Sequence, residues 1–343
     1  MFHRKETAVL VSLLLITSGL IVGGFWWAGG WSSLGRSNTR EELQQNEQEK
    51  AKTFAEVLTA PSGLFNYGGS TTWAPLRVTV DPVIQTSLPQ FRLRYINPSN
   101  GKPGSGSGIK MLLEGQLAFA QSSRPLEQEE YQQAQQRGFT LEQIPVAIDG
   151  IAIVVHPNLN IPGITIAQLK DIYTGKLNNW SQLGGADLPI TPYSRSRAAG
   201  GTVEFFVDNV LEGEELGSNV KIVDDTTVGL REVSADPGGI YYATAIEVVP
   251  QCKVKPLAIG HKPDQLVPPY QEPLVEPSQC PEQRNRLNNA AIQSGEYPIT
   301  RRLFVIIKQN GQVDEQAGRA YADLLLSDQG QELINSSGFI SIR

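Results

Sequence analysis

From residue 64 to the C-terminus, short strand-like segments alternate with helix-like ones, and runs of glycine and hydroxyl residues stand where one gives way to the other. The runs are Gly68-Gly69-Ser70-Thr71-Thr72, Gly104-Ser105-Gly106-Ser107-Gly108 and Gly200-Gly201-Thr202. Alternation of this kind indicates an α/β fold, in which ligands lie beyond strand ends, where loops lead into helices. A helix start leaves backbone N–H groups unpaired at the positive end of the helix dipole, which makes it a natural anion site. One such run carries little weight. Three, separated by whole structural units, point to loops converging on one small oxyanion.

The apolar pattern predicts strands over 64–69, 91–97, 117–121, 189–194, 239–243 and 302–308. It predicts helices over 109–115, 126–138, 166–172, 202–211 and 315–327. The apolar run 144–156 is broken by Asp149-Gly150, which predicts two strands with an inter-lobe hinge between them. Residues 249–283 hold many of the prolines and read as irregular structure.

The 343 residues suit about two domains of ordinary size, and a hydrophobic content of 40% is enough for real cores. A net charge of −6 argues against nucleic acid as the main partner, which needs a basic face. It leaves room for a small anion held by neutral dipoles in a cleft. His3, Arg4 and Lys5 precede an uncharged run from Thr7 to Trp31, and about 20 such residues span a bilayer core. Trp26, Trp27 and Trp31 suit the far interface. Residues 1–31 are therefore expected to be an uncleaved N-terminal transmembrane helix, with a cleavable signal segment as the alternative reading. Either exports the bulk of the chain. Residues 32–52 read as a polar stalk. In an oxidising compartment Cys252 and Cys280 could form one bridge; the other reading is two unrelated thiols.

With these residues in hand, the folded region resembles the periplasmic phosphate-binding proteins of phosphate ABC importers, from about Leu64 to the C-terminus. Gly69-Ser70-Thr71-Thr72-Trp73-Ala74-Pro75 resembles the family's first phosphate loop, and Ser105-Gly106-Ser107-Gly108-Ile109-Lys110 its second. Phe119-Ala120-Gln121-Ser122-Ser123-Arg124-Pro125 is similar to the strand-end segment that follows. Ile172-Tyr173-Thr174-Gly175-Lys176-Leu177-Asn178-Asn179-Trp180 resembles a signature of the second lobe. Arg195-Ser196-Arg197-Ala198-Ala199-Gly200-Gly201-Thr202, followed by Phe205, resembles the arginine-containing helix start that completes the site. Pro237-Gly238-Gly239-Ile240 and Tyr297-Pro298-Ile299 match two later landmarks. No single piece is specific; their order is.

The resemblance implies a two-lobed, type II periplasmic-binding-protein-like fold with a central cleft. The first lobe is expected over 53–148 with 303–343 and the second over 149–302. It implies phosphate or a related oxyanion as ligand, held by Thr71, Thr72, Ser105, Ser123, Gly200, Gly201 and Thr202 with an arginine. Arg195 and Arg197 flank the arginine position, and Arg195 is the favoured one. A dehydrated phosphate needs about a dozen hydrogen bonds, which helix-start N–H groups and hydroxyls supply. Two departures bear on which oxyanion is taken: Ser123 stands where the family usually has an aspartate, and Gly200 where a serine is common. Trp73, beside the first loop, could line the cleft or pack, and Tyr173 and Trp180 are expected in the core.

Enzymatic readings find no support. His3, His156 and His261 have no hydroxyl or carboxylate at motif spacing, and no metal-ligand set appears. The run 104–108 fits neither a nucleophile elbow nor a nucleotide loop. No cofactor is expected. The implied partners are the ABC importer's membrane subunits, the chain itself being a monomer on the extracytoplasmic side of the membrane. The alternative reading is a membrane-tethered oxyanion sensor or adaptor that uses the same cleft.

Overall fold

A computed structural model describes residues 51–196 and 201–342. The expected membrane anchor, the stalk as far as Lys50, and positions Arg197 and Gly200 lie outside these residues. Among the described residues no helix is long and apolar enough to cross a membrane.

The first units are β1 (Gly63–Gly69), α1 (Ala74–Ser87), β2 (Phe91–Tyr95), α2 (Ser105–Leu113), β3 (Phe119–Ser122) and α3 (Gln128–Gln136). β1 runs parallel to β2 on one side and β3 on the other. Helix α1 was not anticipated: Pro75 opens it and Pro82 lies inside it, masking a periodic apolar face of Leu76, Val80 and Ile84. Helix α2 begins earlier than the apolar pattern predicts, because the glycine–serine run is itself helical from Ser105.

The chain then enters β4 (Thr140–Val155), a strand of 16 residues that continues through Asp149 and Gly150. The expectation of two strands is thus corrected. β4 pairs along this stretch with the antiparallel strand β10 (Thr300–Gln309), Arg301 standing opposite Asp149 and Thr300 opposite Gly150. The carboxylate does not break the strand because its charge is met across the ladder.

Between them come β5 (Gly163–Thr165), α4 (Ile166–Tyr173), β6 (Thr191–Arg195), α5 (Gly201–Phe205), β7 (Lys221–Val223) and α6 (Thr226–Ala235). β8 (Gly239–Thr244), α7 (Ala245–Val248), β9 (Lys255–Gly260) and α8 (Asn289–Ser294) follow. After β10 the chain closes with α9 (Val313–Leu326), α10 (Asp328–Ser336) and β11 (Ile340–Ser341). The strand order is β2-β1-β3-β10-β4-β8-β6-β7, with β9 and β11 also pairing on β4.

Two further expectations are corrected. Residues 249–283 are not wholly irregular: β9 lies within them, its Pro256 weakening the strand signal while Leu257 and Ile259 are fully buried. The helix expected over 202–211 is instead the short α5 followed by a wider π turn over Phe206–Val210. That turn carries Phe206 onto the face of Tyr242, ring centroids 3.7 Å apart.

Strand β10 shows why its sequence reads as an almost unbroken apolar run. Leu303, Val305 and Ile307 enter one hydrophobic cluster, with Phe119, Tyr321 and Leu324, while Phe304 and Ile306 enter another, with Ile109, Leu112 and Leu117. A strand covered on both faces has no polar side to show. A third cluster gathers side chains from Ile151 to Ile299, including Tyr173 and Trp180, which are fully buried as expected. Cys252 and Cys280 form a disulfide with Cα atoms 5.7 Å apart, closing a loop of 28 residues. A loop of that length corresponds to roughly 3–4 kcal/mol in the chain-entropy account.

Candidate functional site

The first loop leaves β1 at Gly69 and is fastened to β3. The Ser70 N–H donates to the Gln121 carbonyl at 2.8 Å, and Arg77 Nη1 donates to the Ser70 carbonyl at 3.1 Å and to Gln121 Oε1 at 2.9 Å. Ser70 Oγ accepts from the Thr72 N–H at 3.3 Å, capping the turn that starts α1. Of the two readings open for Trp73, the structure takes packing. Its ring is fully buried and its Nε1–H donates to the Ser122 carbonyl at 3.0 Å. Its aromatic bulk and N–H are spent anchoring the loop.

The second loop becomes the first turn of α2, which is pressed against the first loop. A Cβ on Gly108 would fall 2.4 Å from Gly69 Cα, so only glycine permits this approach. The consequence is that Ser105 meets the end of β3: its Oγ accepts from the Ser123 N–H at 3.0 Å and lies 3.3 Å from Ser123 Oγ. Ser70 Oγ donates to Ser123 Oγ at 2.9 Å. Ser70, Ser105 and Ser123 are essentially inaccessible to solvent. Gly201 of α5 closes over this trio: a Cβ there would lie 2.7 Å from Ser123 Oγ and within 4 Å of the other two hydroxyl oxygens.

Two of the remaining predicted hydroxyls, those of Thr72 and Thr202, are drawn together by a residue the sequence reading missed. Arg301 of β10 is 4% exposed and donates through Nη2 to Thr72 Oγ1 at 3.0 Å and to Thr202 Oγ1 at 3.0 Å. Its Nη1 donates to the Gly201 carbonyl at 2.8 Å, its Nε donates to Asp149 Oδ2 at 2.8 Å, and Nη2 also lies 2.8 Å from that carboxylate oxygen. The Phe205 ring lies 5.5 Å from the guanidinium carbon. Burial pushes the Asp149 carboxyl up to about 6 against the pull of Arg301, and Glu247 adds to the rise. One signal for this pair was present in the sequence: a lone carboxylate, Asp149, inside one apolar run and two arginines, Arg301 and Arg302, at the head of another.

The predicted residues thus fall on two sides of the Gly201–serine contact. Ser105, Ser123 and Gly201 border a cavity of about 220 Å³ that also touches Arg124, Glu204 and Phe205. Thr71, Thr72, Arg195 and Thr202 border a larger cavity of about 620 Å³, whose other wall includes Thr244 and Glu247. Arg195 stands at the end of β6 and borders this cavity; Arg197 and Gly200 lie outside the described residues. Arg124, the residue after Ser123, is engaged by Glu130 through a two-pronged pair at 3.0 and 2.7 Å. Among the described residues no group of three or more histidine, cysteine or carboxylate side chains could hold a metal ion.

This arrangement of loops has relatives. Residues 47–329 match a family model described as the PBP superfamily domain. The chain belongs to the PBP superfamily. Among curated proteins, it is 25% identical over 237 residues to the phosphate-binding protein PstS of Staphylococcus epidermidis, covering 68% of this chain and 66% of that one. It is 26% identical over 275 residues to protein SphX of Synechococcus elongatus, covering 77% of this chain and 75% of that one. Among solved structures, it resembles a substrate-binding protein of Clostridium perfringens assigned to phosphate ABC transport and crystallised with phosphate bound. That likeness has a TM-score of 0.61 and 25% identity, covering 82% of this chain and all of the other. The superfamily match spans both sides of the site, from the first loop to Arg301.

Proposed function

We propose that this PBP-superfamily chain captures inorganic phosphate, or a related tetrahedral oxyanion, outside the cytoplasm and presents it to an ABC importer. The observation that carries this reading is the meeting of Thr72 and Thr202, hydroxyls from loops about 130 residues apart, at one buried cation. Hydroxyl donors beside a fixed positive charge favour a ligand made of acceptor oxygens. Arg195, which borders the same cavity, adds a second charge, and a guanidinium fork suits a tetrahedral oxyanion. The relatives point the same way: the Clostridium perfringens protein was crystallised with phosphate bound.

In this reading the ligand set comprises Thr71, Thr72, Arg195 and Thr202, with Ser105, Ser123 and Gly201 shaping the loops around it. The lobes are 53–148 with 303–343 and 149–302, and closure about β4 and β10 excludes water from the anion. No chemistry on the ligand is proposed, and no cofactor. An N-terminal helix holds the chain at the membrane, and the Cys252–Cys280 disulfide suits an oxidising compartment. The test is titration of the full chain with phosphate, sulfate, arsenate and molybdate across pH, joined to uptake measurements after deletion. Saturable binding of phosphate with loss of high-affinity uptake supports the reading. Binding without any change in uptake favours a sensor or adaptor, and no oxyanion binding at all overturns it.

A further inference from the structure

Arg301 reaches Thr72 Oγ1 and Thr202 Oγ1 with the same nitrogen. A guanidinium has no acceptor, so each threonine oxygen accepts from it, the two Nη2 protons being shared among both threonine oxygens and Asp149 Oδ2, which Nη2 also reaches at 2.8 Å. A threonine hydroxyl has one proton. With its oxygen committed to Arg301, that proton turns elsewhere, and both threonines border the cavity of about 620 Å³ that Thr71 and Arg195 share. The guanidinium is itself held in place: Nε is bonded to Asp149 Oδ2 and Nη1 to the Gly201 carbonyl. Without such a partner, a threonine hydroxyl rotates and offers a lone pair as readily as a proton.

Resting on the oxyanion reading above, we propose that Arg301 is a positioning residue that fixes Thr72 and Thr202 as hydrogen-bond donors toward the bound anion and so couples the two loops. Its effect on the ligand is exerted through the hydroxyls. The ligand class that follows presents acceptor oxygens at both contacts; an ammonium or a protonated oxygen at either position meets a proton with a proton. Asp149 sets the orientation of the fork, and Gly201 ties it to the start of α5.

The experiment is a set of calorimetric titrations of the full chain with inorganic phosphate. Thr72→Val and Thr202→Val are each expected to weaken binding about tenfold or more, as loss of a donor to a charged acceptor does. The same two changes are then made in an Asp149→Asn/Arg301→Gln background, which removes both buried charges together and leaves neither stranded. There each valine is expected to cost no more than about threefold, because an unfixed hydroxyl has less to lose. Thr202→Ser is expected to restore binding where Arg301 is present. If the double background does not fold, Asp149→Leu/Arg301→Met serves instead, since it replaces the buried pair by apolar groups and leaves no cation behind the hydroxyls. Equal losses with and without Arg301 would overturn the positioning role while leaving the oxyanion reading intact. An unaltered chain that binds neither phosphate nor sulfate nor arsenate would overturn both.

Discussion

The two sides of the candidate site use the same residue types and put them to different ends. On one side Ser70, Ser105 and Ser123 bond to each other and to the backbone, buried and neutral, with Gly201 pressed against them. On the other, Thr72 and Thr202 bond to a buried charged pair that crosses between β4 and β10. Hydroxyls that satisfy one another fix loop geometry and have little left for a ligand. Hydroxyls whose oxygens are taken by a cation keep their protons for one. A cluster of serines and glycines at a helix start is therefore not by itself a ligand shell; what stands behind the hydroxyls decides it.

The comparison breaks most visibly at the charged pair. Arg301→Met should destabilise the fold by about 3–5 kcal/mol near neutral pH, because it strands a buried carboxylate. The pH dependence has a definite sign. The Asp149 carboxyl sits at about 6 in the fold against an ordinary value of 3.8, so the native state takes up its proton more readily than the unfolded chain does. Its contribution to stability is then most favourable below about pH 4 and is lost as pH rises through about 6. Without Arg301 the carboxyl rises further, so the penalty in Arg301→Met should be larger at about pH 8 than at about pH 5. Denaturant unfolding at the two pH values measures this; an equal penalty at both would show that Asp149 is not the stranded group.

The neutral side should respond to crowding before charge. Gly201→Ala places a methyl 2.7 Å from Ser123 Oγ and should cost about 1–3 kcal/mol of stability, as overpacking does. Ser123→Ala in the same chain should return most of that loss, because it removes the crowded oxygen. Failure of the second change to compensate would mean that the strain lies in the backbone of α5. The smallest effect expected is Ser70→Ala, about 1 kcal/mol for a neutral hydrogen bond, with phosphate affinity changed by less than about threefold. A tenfold affinity loss there would erase the distinction between the two sides.

Much of this was legible in the chain. The alternation of strand and helix, the three small-residue runs and their order carried the fold class and the superfamily resemblance, and each run stands at a strand–helix junction. Two things hid the rest. Local signals of interruption, Asp149-Gly150 in β4, Pro256 in β9 and Pro82 in α1, were overridden by pairing or packing that no local window contains. The partners of polar side chains were also invisible. Trp73 looked available to a ligand until its N–H was seen to anchor the first loop, and Arg301 looked like the flank of a strand until Asp149 stood across from it. Residue type gave the hydroxyls; only the fold divides them into those that bond to one another and those backed by a buried cation.

The most direct test is a crystal structure of the chain with phosphate. Phosphate oxygens should stand within hydrogen-bond distance, about 2.6–3.0 Å, of Thr72 Oγ1 and Thr202 Oγ1, with Arg301 still bonded to both from behind. Phosphate bound away from these two hydroxyls, or bound to them only after Arg301 has swung off, would contradict the assignment.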